Sequence, residues 1–271
     1  MDIASPIPKN AQGRFYHIDC APGELAPYIL TCGDRGRAQK IARRFDRVDL
    51  RRQNREFLTY TGSYQNIPVS VMATGIGAPA SAIAVVEAAH CVNPVTFIRL
   101  GTCGALPPTI AVGDLVITEA AWCAENTSAN YLPPGGFVPQ AAPEIVAALR
   151  RAAEALQVPH HVGLTCTTSD FYLGQGRAAP GFPDPDSELL EALTGTGVLN
   201  LEMEMSVYLA LAAVSTYRLR AGGVCLVLNN RATGEGLTDP KARRRAERRL
   251  IDVGLGALEI LAAENGKRCL N

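Results

Sequence analysis

The sequence predicts an α/β fold in a single domain, with a mainly parallel central β-sheet covered by α-helices. Two observations lead to this prediction. Short β-branched or apolar runs alternate with runs patterned as helices along the chain, the rhythm typical of strand-helix-strand units. In addition, 271 residues are enough to bury one substantial core. We therefore expect residues 1–271 to form one domain, with residues 1–15 as an irregular N-terminal arm.

The predicted elements follow one another in a regular order. The strand-like runs occupy residues 28–32, 55–64, 67–75, 96–102, 114–123, 161–168, 198–203 and 222–230. The helix-patterned runs occupy residues 37–45, 78–90, 143–156 and 205–214, before a long C-terminal helix. The two adjacent strands around Asn66 predict a hairpin, and the Pro/Gly-rich segments 125–143 and 178–187 predict long loops.

The C-terminal helix has a clear start signal. Asp239 can cap it, and Pro240 occupies the first helical position, where the N–H that proline lacks would have no partner. Apolar residues recur at helical spacing, at Ala242, Ala246, Leu250, Val253 and Ala257. The arginines of the segment KARRRAERR are therefore expected on the solvated face of an amphipathic helix. A basic patch with a binding role is the alternative.

The composition indicates an ordinary globular protein, with 47% hydrophobic and 19% charged residues. Because 26 basic residues balance 26 acidic ones, we expect no nucleic-acid partner and no attraction to a membrane. The N-terminus lacks the plan of a signal peptide, and no apolar run approaches the roughly 18 residues of a membrane span. The expected compartment is the cytoplasm.

The cysteines do not form a recognisable ligand pattern. They lie singly, without a CxxC pair or ligand-like spacing to the four histidines. The eight are Cys20, Cys32, Cys91, Cys103, Cys123, Cys166, Cys225 and Cys269. We expect reduced, buried thiols and no metal site built from them.

Two polar stretches follow predicted strands, at the end of the sheet where open α/β folds bind ligands. In CGDRGR, residues 32–37, backbone N–H groups and Arg37 could hold an anion at a helix N-terminus, although such turns are common. In TFIRLGTCGAL, Arg99 lies inside an apolar strand and is followed by Thr102. A buried arginine requires an anion, which could be a phosphate ligand or, as the alternative, an internal carboxylate.

The stretch NLEMEM places two carboxylates, Glu202 and Glu204, where the chain should be buried. A carboxylate accepts two hydrogen bonds and therefore matches the vicinal diol of a sugar. Each residue taken singly could also belong to the core.

The stretch SDFYLGQGR suits a flat heterocycle. Phe171 or Tyr172 could stack on a ring, and Gln175 and Arg177 present several donors and one acceptor. That set matches the carbonyl and imide edge of a pyrimidine.

Taken together, these stretches resemble the nucleoside phosphorylase family, and within it the uridine phosphorylase branch. The resemblance runs from about Tyr16 to the C-terminal helix. It rests on YILTCGDRGR, NREF, TGIGAPASAIAVVE, FIRLGTCGAL, VGD, SDFYLGQGR, NLEMEMS and LNNRATGE, in the family's order. Several separated motifs in order are more specific than any one of them.

The resemblance implies a mixed, partly barrel-like sheet flanked by helices and a reversible phosphorolysis of a nucleoside to ribose 1-phosphate and free base. It implies inorganic phosphate as co-substrate and no cofactor. The implied phosphate-binding residues are Gly33, Arg37, Arg99 and Thr102, with Arg55 of a neighbouring subunit. The implied ribose-binding residues are Glu202, Met203 and Glu204, with His17 of the neighbour. The implied base-binding residues are Phe171, Gln175, Arg177 and Arg231. Of all these, Arg99, Glu204 and Arg177 are the implied catalytic residues.

The shared residues imply a homo-oligomer: a dimer with shared active sites, assembled as a trimer of dimers into a homohexamer. Glu56 and Ile76 match positions near a monovalent cation between subunits in some uridine phosphorylases. Ala80 stands where the family usually has a serine, so a potassium site stays an open alternative.

The choice of a pyrimidine rests on the stretch LNNR, residues 228–231. Purine-cleaving relatives typically carry an aspartate there, which protonates purine N7. Its absence, with Gln175 and Arg177 present, implies uridine or a related nucleoside. A purine nucleoside phosphorylase, a nucleoside hydrolase of the same fold and a catalytically silent nucleoside-binding relative are the alternatives.

Overall fold

The computed structural model describes residues 7–134, 136–186 and 188–268. Within them, nine strands form one mixed sheet in the order β2-β3-β4-β1-β5-β8-β7-β6-β9. The strands are β1 (Tyr28–Cys32), β2 (Arg47–Asn54), β3 (Phe57–Tyr64), β4 (Ile67–Ala73), β5 (Val95–Ala105), β6 (Leu115–Ala124), β7 (His160–Thr168), β8 (Val198–Glu202) and β9 (Leu219–Asn230). The helices are α1 (Arg35–Ala42), α2 (Ala78–Cys91), α3 (Asn126–Ala129), α4 (Pro143–Ala155), α5 (Leu189–Gly195), α6 (Met205–Val214) and α7 (Pro240–Arg268).

The sheet closes partly into a barrel, because β9 pairs with β5 as well as with β6. Strand β5 runs parallel to β1 and β9 and antiparallel to β8. Helices cover both sides of the sheet. The predicted mixed, largely parallel sheet is therefore confirmed. The predicted N-terminal arm lies partly outside the described residues, and residues 7–15 contribute one isolated bridge between Lys9 and Phe15.

The antiparallel end of the sheet was only partly predictable. The hairpin around Asn66 is confirmed: β3 and β4 are antiparallel, and Gln65 and Asn66 both have positive φ, as a two-residue hairpin turn requires. Strand β2 was not predicted, because its sequence RVDLRRQN lacks apolar alternation. It is an exposed edge strand, where charged side chains oppose pairing with other chains.

Helix α7 begins as predicted. The Asp239 carboxylate accepts hydrogen bonds from the backbone N–H of Lys241 and Ala242, at 3.1 and 2.9 Å. Ala246, Leu250, Val253 and Ala257 are buried, and Arg243, Arg244, Arg245, Arg248 and Arg249 are exposed. The helix approaches β5 closely at Gly254, where an added Cβ would lie 2.6 Å from the Leu100 side chain.

Two large clusters of buried apolar side chains hold the layers together, one under α1, α4 and α7 and one under α2 and α6. Seven cysteines are free, and all but Cys123 are buried; Cys269 lies outside the described residues. Burial raises the pKa of Cys32 to about 11 and that of Cys166 to about 12, so both thiols stay protonated at neutral pH. No helix in the described ranges is long and apolar enough to cross a membrane.

Candidate active site

A cleft of about 1080 Å³ opens where β1, β4, β8 and β9 end beside β5. It gathers ten of the residues singled out in the sequence, namely Gly33, Arg37, Arg99, Thr102, Phe171, Gln175, Arg177, Glu202, Met203 and Glu204. These residues come from four separate stretches of the chain. His17, Arg55 and Arg231 do not line this cleft.

Arg99 is the buried centre of the cleft, with 3% of its surface exposed. Its Nε donates to Glu202 at 3.4 Å and its Nη2 donates to Glu204. Burial disfavours the charged guanidinium, but Glu204 and Glu202 outweigh this effect and raise the pKa of Arg99. The internal ion pair, which the sequence left as the alternative to a phosphate ligand of Arg99, is therefore present. Arg99 Nη1 is buried and has no hydrogen-bond partner among the described residues.

Donors from the protein itself occupy the hydrogen-bond acceptor positions of the Glu202 carboxylate. It accepts from Thr167 Oγ1 at 2.5 Å, from the backbone N–H of Glu204 and Met205 at about 3.0 Å, and from Arg99. These donors match the roughly four acceptor sites of a carboxylate, and two of them belong to the chain entering α6. Burial raises the pKa of Glu202 to about 7; Arg99 opposes this rise, and the neighbouring Glu204 adds to it.

The Glu204 carboxylate keeps some acceptor capacity. Its Oε1 accepts from the backbone N–H of Gly77 at 2.8 Å, and its Oε2 accepts from Arg99 and, at 3.3 Å, from the backbone N–H of Met203. Gly77 has φ of 95°, a conformation that glycine adopts without strain. With three donors against about four acceptor sites, Glu204 can accept one more hydrogen bond.

The N-terminus of α1 borders the cleft on the other side of Arg99. Asp34 accepts from the backbone N–H of Gly36 and Arg37, both at 2.9 Å, so these two predicted anion donors are already occupied. Two hydrogen bonds orient the Arg37 side chain. Its Nε donates to Glu247 at 3.1 Å, and its Nη1 donates to the carbonyl of Leu100 at 3.1 Å. Its Nη2 donates to none of the described residues.

At the opposite end of the cleft, Gln175 and Arg177 form one unit. Gln175 is 2% exposed; its Nε2 donates to Thr168 Oγ1 at 2.9 Å and its Oε1 accepts from Arg177. Arg177 also donates to the carbonyl of Phe171 at 2.8 Å, and its guanidinium lies 4.0 Å from the centroid of that ring.

Arg231 supports this unit from outside the cleft. Its Nη2 donates to the carbonyls of Gln175 and Gly176, both at 3.0 Å. Burial, followed by repulsion from Arg231, lowers the pKa of Arg177 to about 10. Asn229 lines the cleft, and its Oδ1 accepts from Arg177 at 3.4 Å.

His17 and Arg55 both lie near Tyr16, which lines a second, smaller pocket. Its volume is about 260 Å³, and Arg55 lines it together with Tyr16. The Arg55 guanidinium lies 5.7 Å from the centroid of the Tyr16 ring, and that ring contacts His17 edge-on at 5.1 Å. His17 Nδ1 is 2.6 Å from the Glu87 carboxylate. In a single chain these two residues are therefore separate from the cleft.

The positions considered for a cation, Glu56, Ile76 and Ala80, also line the main cleft. Glu56 packs close to the chain at Gly75, where an added Cβ would lie 3.0 Å from Glu56 Cγ. Ile76 is 76% exposed, which is unusual for a large apolar side chain.

Sequence reasoning missed the residues that hold the site from behind. Glu247 contacts Arg37 across 210 residues of sequence, so no spacing rule could pair them. Thr167 and Thr168 were assigned only to a strand, yet their hydroxyls hold Glu202 and Gln175. A usable signal was present, because two adjacent threonines end this strand directly before the polar stretch SDFYLGQGR.

With this geometry described, comparison with known proteins decides the family. The phosphorylase superfamily matches residues 27–259. The chain belongs to this superfamily. It is 42% identical over 237 residues to a uridine phosphorylase of Thermococcus kodakarensis, which covers 86% of this chain and 83% of the relative. It is 35% identical over 259 residues to a uridine phosphorylase of Treponema pallidum, which covers 93% and 96% of the two chains.

Other members of the phosphorylase superfamily are also similar. A DeoD-type purine nucleoside phosphorylase of Roseobacter denitrificans is 31% identical, over 82% of this chain and 89% of the relative. A solved structure from a study of two uridine phosphorylases of the oomycete Phytophthora capsici has a TM-score of 0.82 and 26% identity, covering 93% of this chain and 96% of the other. The fold of this phosphorylase superfamily chain is thereby confirmed.

Proposed function

We propose that this chain is a pentosyltransferase that catalyses the reversible phosphorolysis of a pyrimidine nucleoside, uridine or a close relative. The observation that carries the proposal is one cleft lined by Arg37 and Arg99, Glu204, and the Gln175–Arg177 unit. Contacts connect them in that order: Arg37 bonds to Leu100 beside Arg99, Arg99 bonds to Glu204 and Glu202, and the adjacent Thr167 and Thr168 hold Glu202 and Gln175. That order corresponds to an anion, a sugar and a base. The similarity to uridine phosphorylases supports the same substrate class.

Phosphate is the co-substrate, and we assign it to the end of the cleft lined by Gly33, Arg37, Arg99 and Thr102. The support is the unpartnered, buried Nη1 of Arg99 and the Nη2 of Arg37, together with the Thr102 hydroxyl. An unpartnered buried guanidinium nitrogen is costly unless an acceptor meets it. A dianion between the two arginines would supply that acceptor.

The ribose is assigned to Glu204 and Met203, next to this anion. Glu204 has acceptor capacity left for a sugar hydroxyl, whereas the Glu202 carboxylate has none. We therefore assign Glu202 to the ribose end as a positioning residue, which holds Arg99 and the start of α6.

The base is assigned to Phe171, Gln175 and Arg177, with Arg231 behind them. The Phe171 ring offers a stacking surface. Gln175 and Arg177 lie where the base would take up negative charge, and the backbone contacts of Arg231 fix the turn that carries them.

The proposed reaction moves charge in a direction that these residues favour. The bond between C1′ and the base nitrogen breaks with its electron pair leaving on the base, and an oxygen of hydrogen phosphate forms the new bond to C1′. The base gains, through water, the proton that the phosphate loses, so the products are neutral base and the ribose 1-phosphate dianion. Phosphate and Glu204 stabilise the positive charge that develops on the sugar, and Arg177 stabilises the negative charge on the base. Phosphate is the nucleophile, so this chemistry uses no organic cofactor.

We further propose that active sites are shared between subunits, in a dimer that assembles as a trimer of dimers. The support is that Arg55 and His17 do not line the cleft of their own chain, so a role for them at an active site requires a neighbour's cleft. Ile76, which lines the cleft and is exposed in a single chain, would be buried if a neighbouring subunit packed there. A potassium ion near Glu56 and Ile76 remains an alternative feature of this boundary, testable by comparing activity in potassium and sodium salts.

A purine nucleoside is the second candidate, favoured by the similarity to a purine nucleoside phosphorylase. Against it stands Asn229 beside Arg177, because an amide cannot protonate purine N7 as a carboxylic acid can.

The test is base release from uridine and inosine, each with and without phosphate. We expect fast uracil release that depends strictly on phosphate, and little release of hypoxanthine. Preference for inosine would contradict the pyrimidine assignment, release without phosphate would indicate a hydrolase, and no release from any nucleoside would indicate a silent binding protein.

A further inference from the structure

The outer end of the cleft carries four cations that the proposed phosphate, ribose and base positions do not use. Arg35 and Lys40 come from α1, and Arg243 and Arg244 come from the first turns of α7. All four are exposed and line the same cleft as Arg37 and Arg99. We call this group the basic vestibule. The arginines of KARRRAERR in α7 were expected on a solvated face, with a basic binding patch as the alternative; all are exposed, and two of them border the cleft.

The carboxylates nearby neutralise the basic vestibule only in part. Glu247 is divided between Lys40 and the buried Arg37, and Asp34 caps α1. Arg243 and Arg244 form no salt bridge with any residue that the structure describes. The whole chain has a formal charge of zero, so this excess of positive charge is local.

The basic vestibule leads directly to the proposed phosphate position. Lys40 and Arg37 share the two oxygens of Glu247. Arg37 then donates to the carbonyl of Leu100, the residue that follows Arg99 in β5. A row of cations therefore runs from the surface to the buried end of the cleft. The cleft lining carries seven cationic and five carboxylate side chains, and such a surplus of positive charge concentrates anions.

We propose that the basic vestibule is an anion-binding site through which phosphate reaches Arg37 and Arg99 and through which the sugar phosphate leaves. The inference rests on the proposed function. Its ligands are dianions, inorganic phosphate in one direction and ribose 1-phosphate in the other. Neutral nucleosides and bases are not attracted by its charge, so the vestibule favours entry of the anion alone.

The experiment compares two double variants of the same helix. R243Q/R244Q removes two vestibule charges, and R248Q/R249Q removes two exposed charges of α7 that do not line the cleft. At low ionic strength we expect R243Q/R244Q to raise KM for phosphate and for ribose 1-phosphate about fivefold, with kcat and KM for uridine unchanged. The effect should shrink in about 0.5 M salt, where screening is strong. R248Q/R249Q should leave all these values unchanged.

Equal effects of the two double variants, or an equal rise in KM for uridine, would overturn the inference. Calorimetric titration with inorganic phosphate makes the same comparison without turnover. Weaker phosphate binding by R243Q/R244Q than by R248Q/R249Q would support the vestibule even if uridine were not cleaved, and equal affinities would overturn it. Failure of the proposed function would appear separately, as a wild-type protein that binds phosphate but releases no uracil.

Discussion

Arg99, Glu202 and Glu204 share one buried space, yet their hydrogen bonds distinguish them. Glu202 meets only protein donors, Glu204 keeps one acceptor position, and Arg99 keeps one donor. A buried ion pair adds little stability by itself, but leaving one member unpaired costs several kcal/mol. The cluster is therefore expected to fix positions at the cleft more than to stabilise the fold.

Glutamine substitutions should separate the two carboxylates. Glu204→Gln removes a charge next to the sugar, so we expect kcat/KM for uridine to fall about 100-fold, or roughly 3 kcal/mol. Glu202→Gln keeps one acceptor oxygen but replaces the other by an NH2 group that faces internal donors, so it should lower the free energy of unfolding by roughly 3 kcal/mol, more than Glu204→Gln does. Urea unfolding and steady-state kinetics on both variants check this. Full activity of Glu204→Gln would contradict the ribose assignment.

The raised pKa of Glu202 also predicts a pH dependence of stability. The folded state holds the proton up to about pH 7, compared with the ordinary value of 4.5 for this group. The stability from this carboxyl is complete below the ordinary pKa and is lost as the pH rises towards 7. Between pH 5 and 7.5 the wild type should thus lose more stability than Glu202→Gln. Parallel unfolding free energies over this range would contradict the assignment.

At the scale of elements, α7 ties the site together. Asp239 caps the N-terminus of α7, and Glu247 of α7 accepts a hydrogen bond from Arg37. The helix also packs against β5 at Gly254. Because Leu100 lies next to Arg99, the distance between α7 and β5 also affects the position of the buried arginine.

Two glycines of α7 provide a matched test of this packing. Gly254→Ala places a Cβ 2.6 Å from the Leu100 side chain, so we expect a loss of about 1–3 kcal/mol of unfolding free energy and lower activity. At Gly266 an added Cβ meets nothing within 4 Å, so Gly266→Ala should be neutral or stabilise by up to about 1 kcal/mol through helix propensity. Thermal unfolding of both variants distinguishes them, and equal effects would show that α7 does not press on β5.

The sequence predicted the elements in which buried apolar residues recur at a regular spacing. It missed strand β2, which is stabilised by backbone pairing with its neighbour. The runs at β1, β5 and α7 were recognised because apolar periodicity marks a buried face. Strand β2 was missed because an edge strand needs only a neighbour's backbone. For the site, motifs found the residues that line the cleft. Their supports, such as Glu247 and Thr167, depend on contacts between elements far apart in sequence, which no local pattern encodes.

At the scale of the whole molecule, the proposal requires more than one chain at each active site. Arg55 and His17 do not line the cleft of their own chain, so one subunit would supply the cleft and another would complete it.

Mixing two inactive variants tests this sharing. Arg55→Ala and Arg99→Ala should each lose most activity, because each removes a proposed phosphate contact. If the sites are shared, dissociating and reassociating a mixture should restore activity, since some sites then combine an intact Arg55 with an intact Arg99. Activity assays before and after mixing measure this. A mixture no more active than its components would contradict sharing, whereas fully active Arg55→Ala would remove Arg55 from the site.

The central step of the proposed reaction is the attack of phosphate on the sugar in the cleft around Arg99. Phosphorus NMR of the protein with uridine and inorganic phosphate, combined with a count of free uracil, measures that step directly. We predict one ribose 1-phosphate for each uracil released, with an equal loss of inorganic phosphate, and almost no product from Arg99→Ala. Uracil released with free ribose and unchanged phosphate, or an undiminished rate in Arg99→Ala, would contradict it.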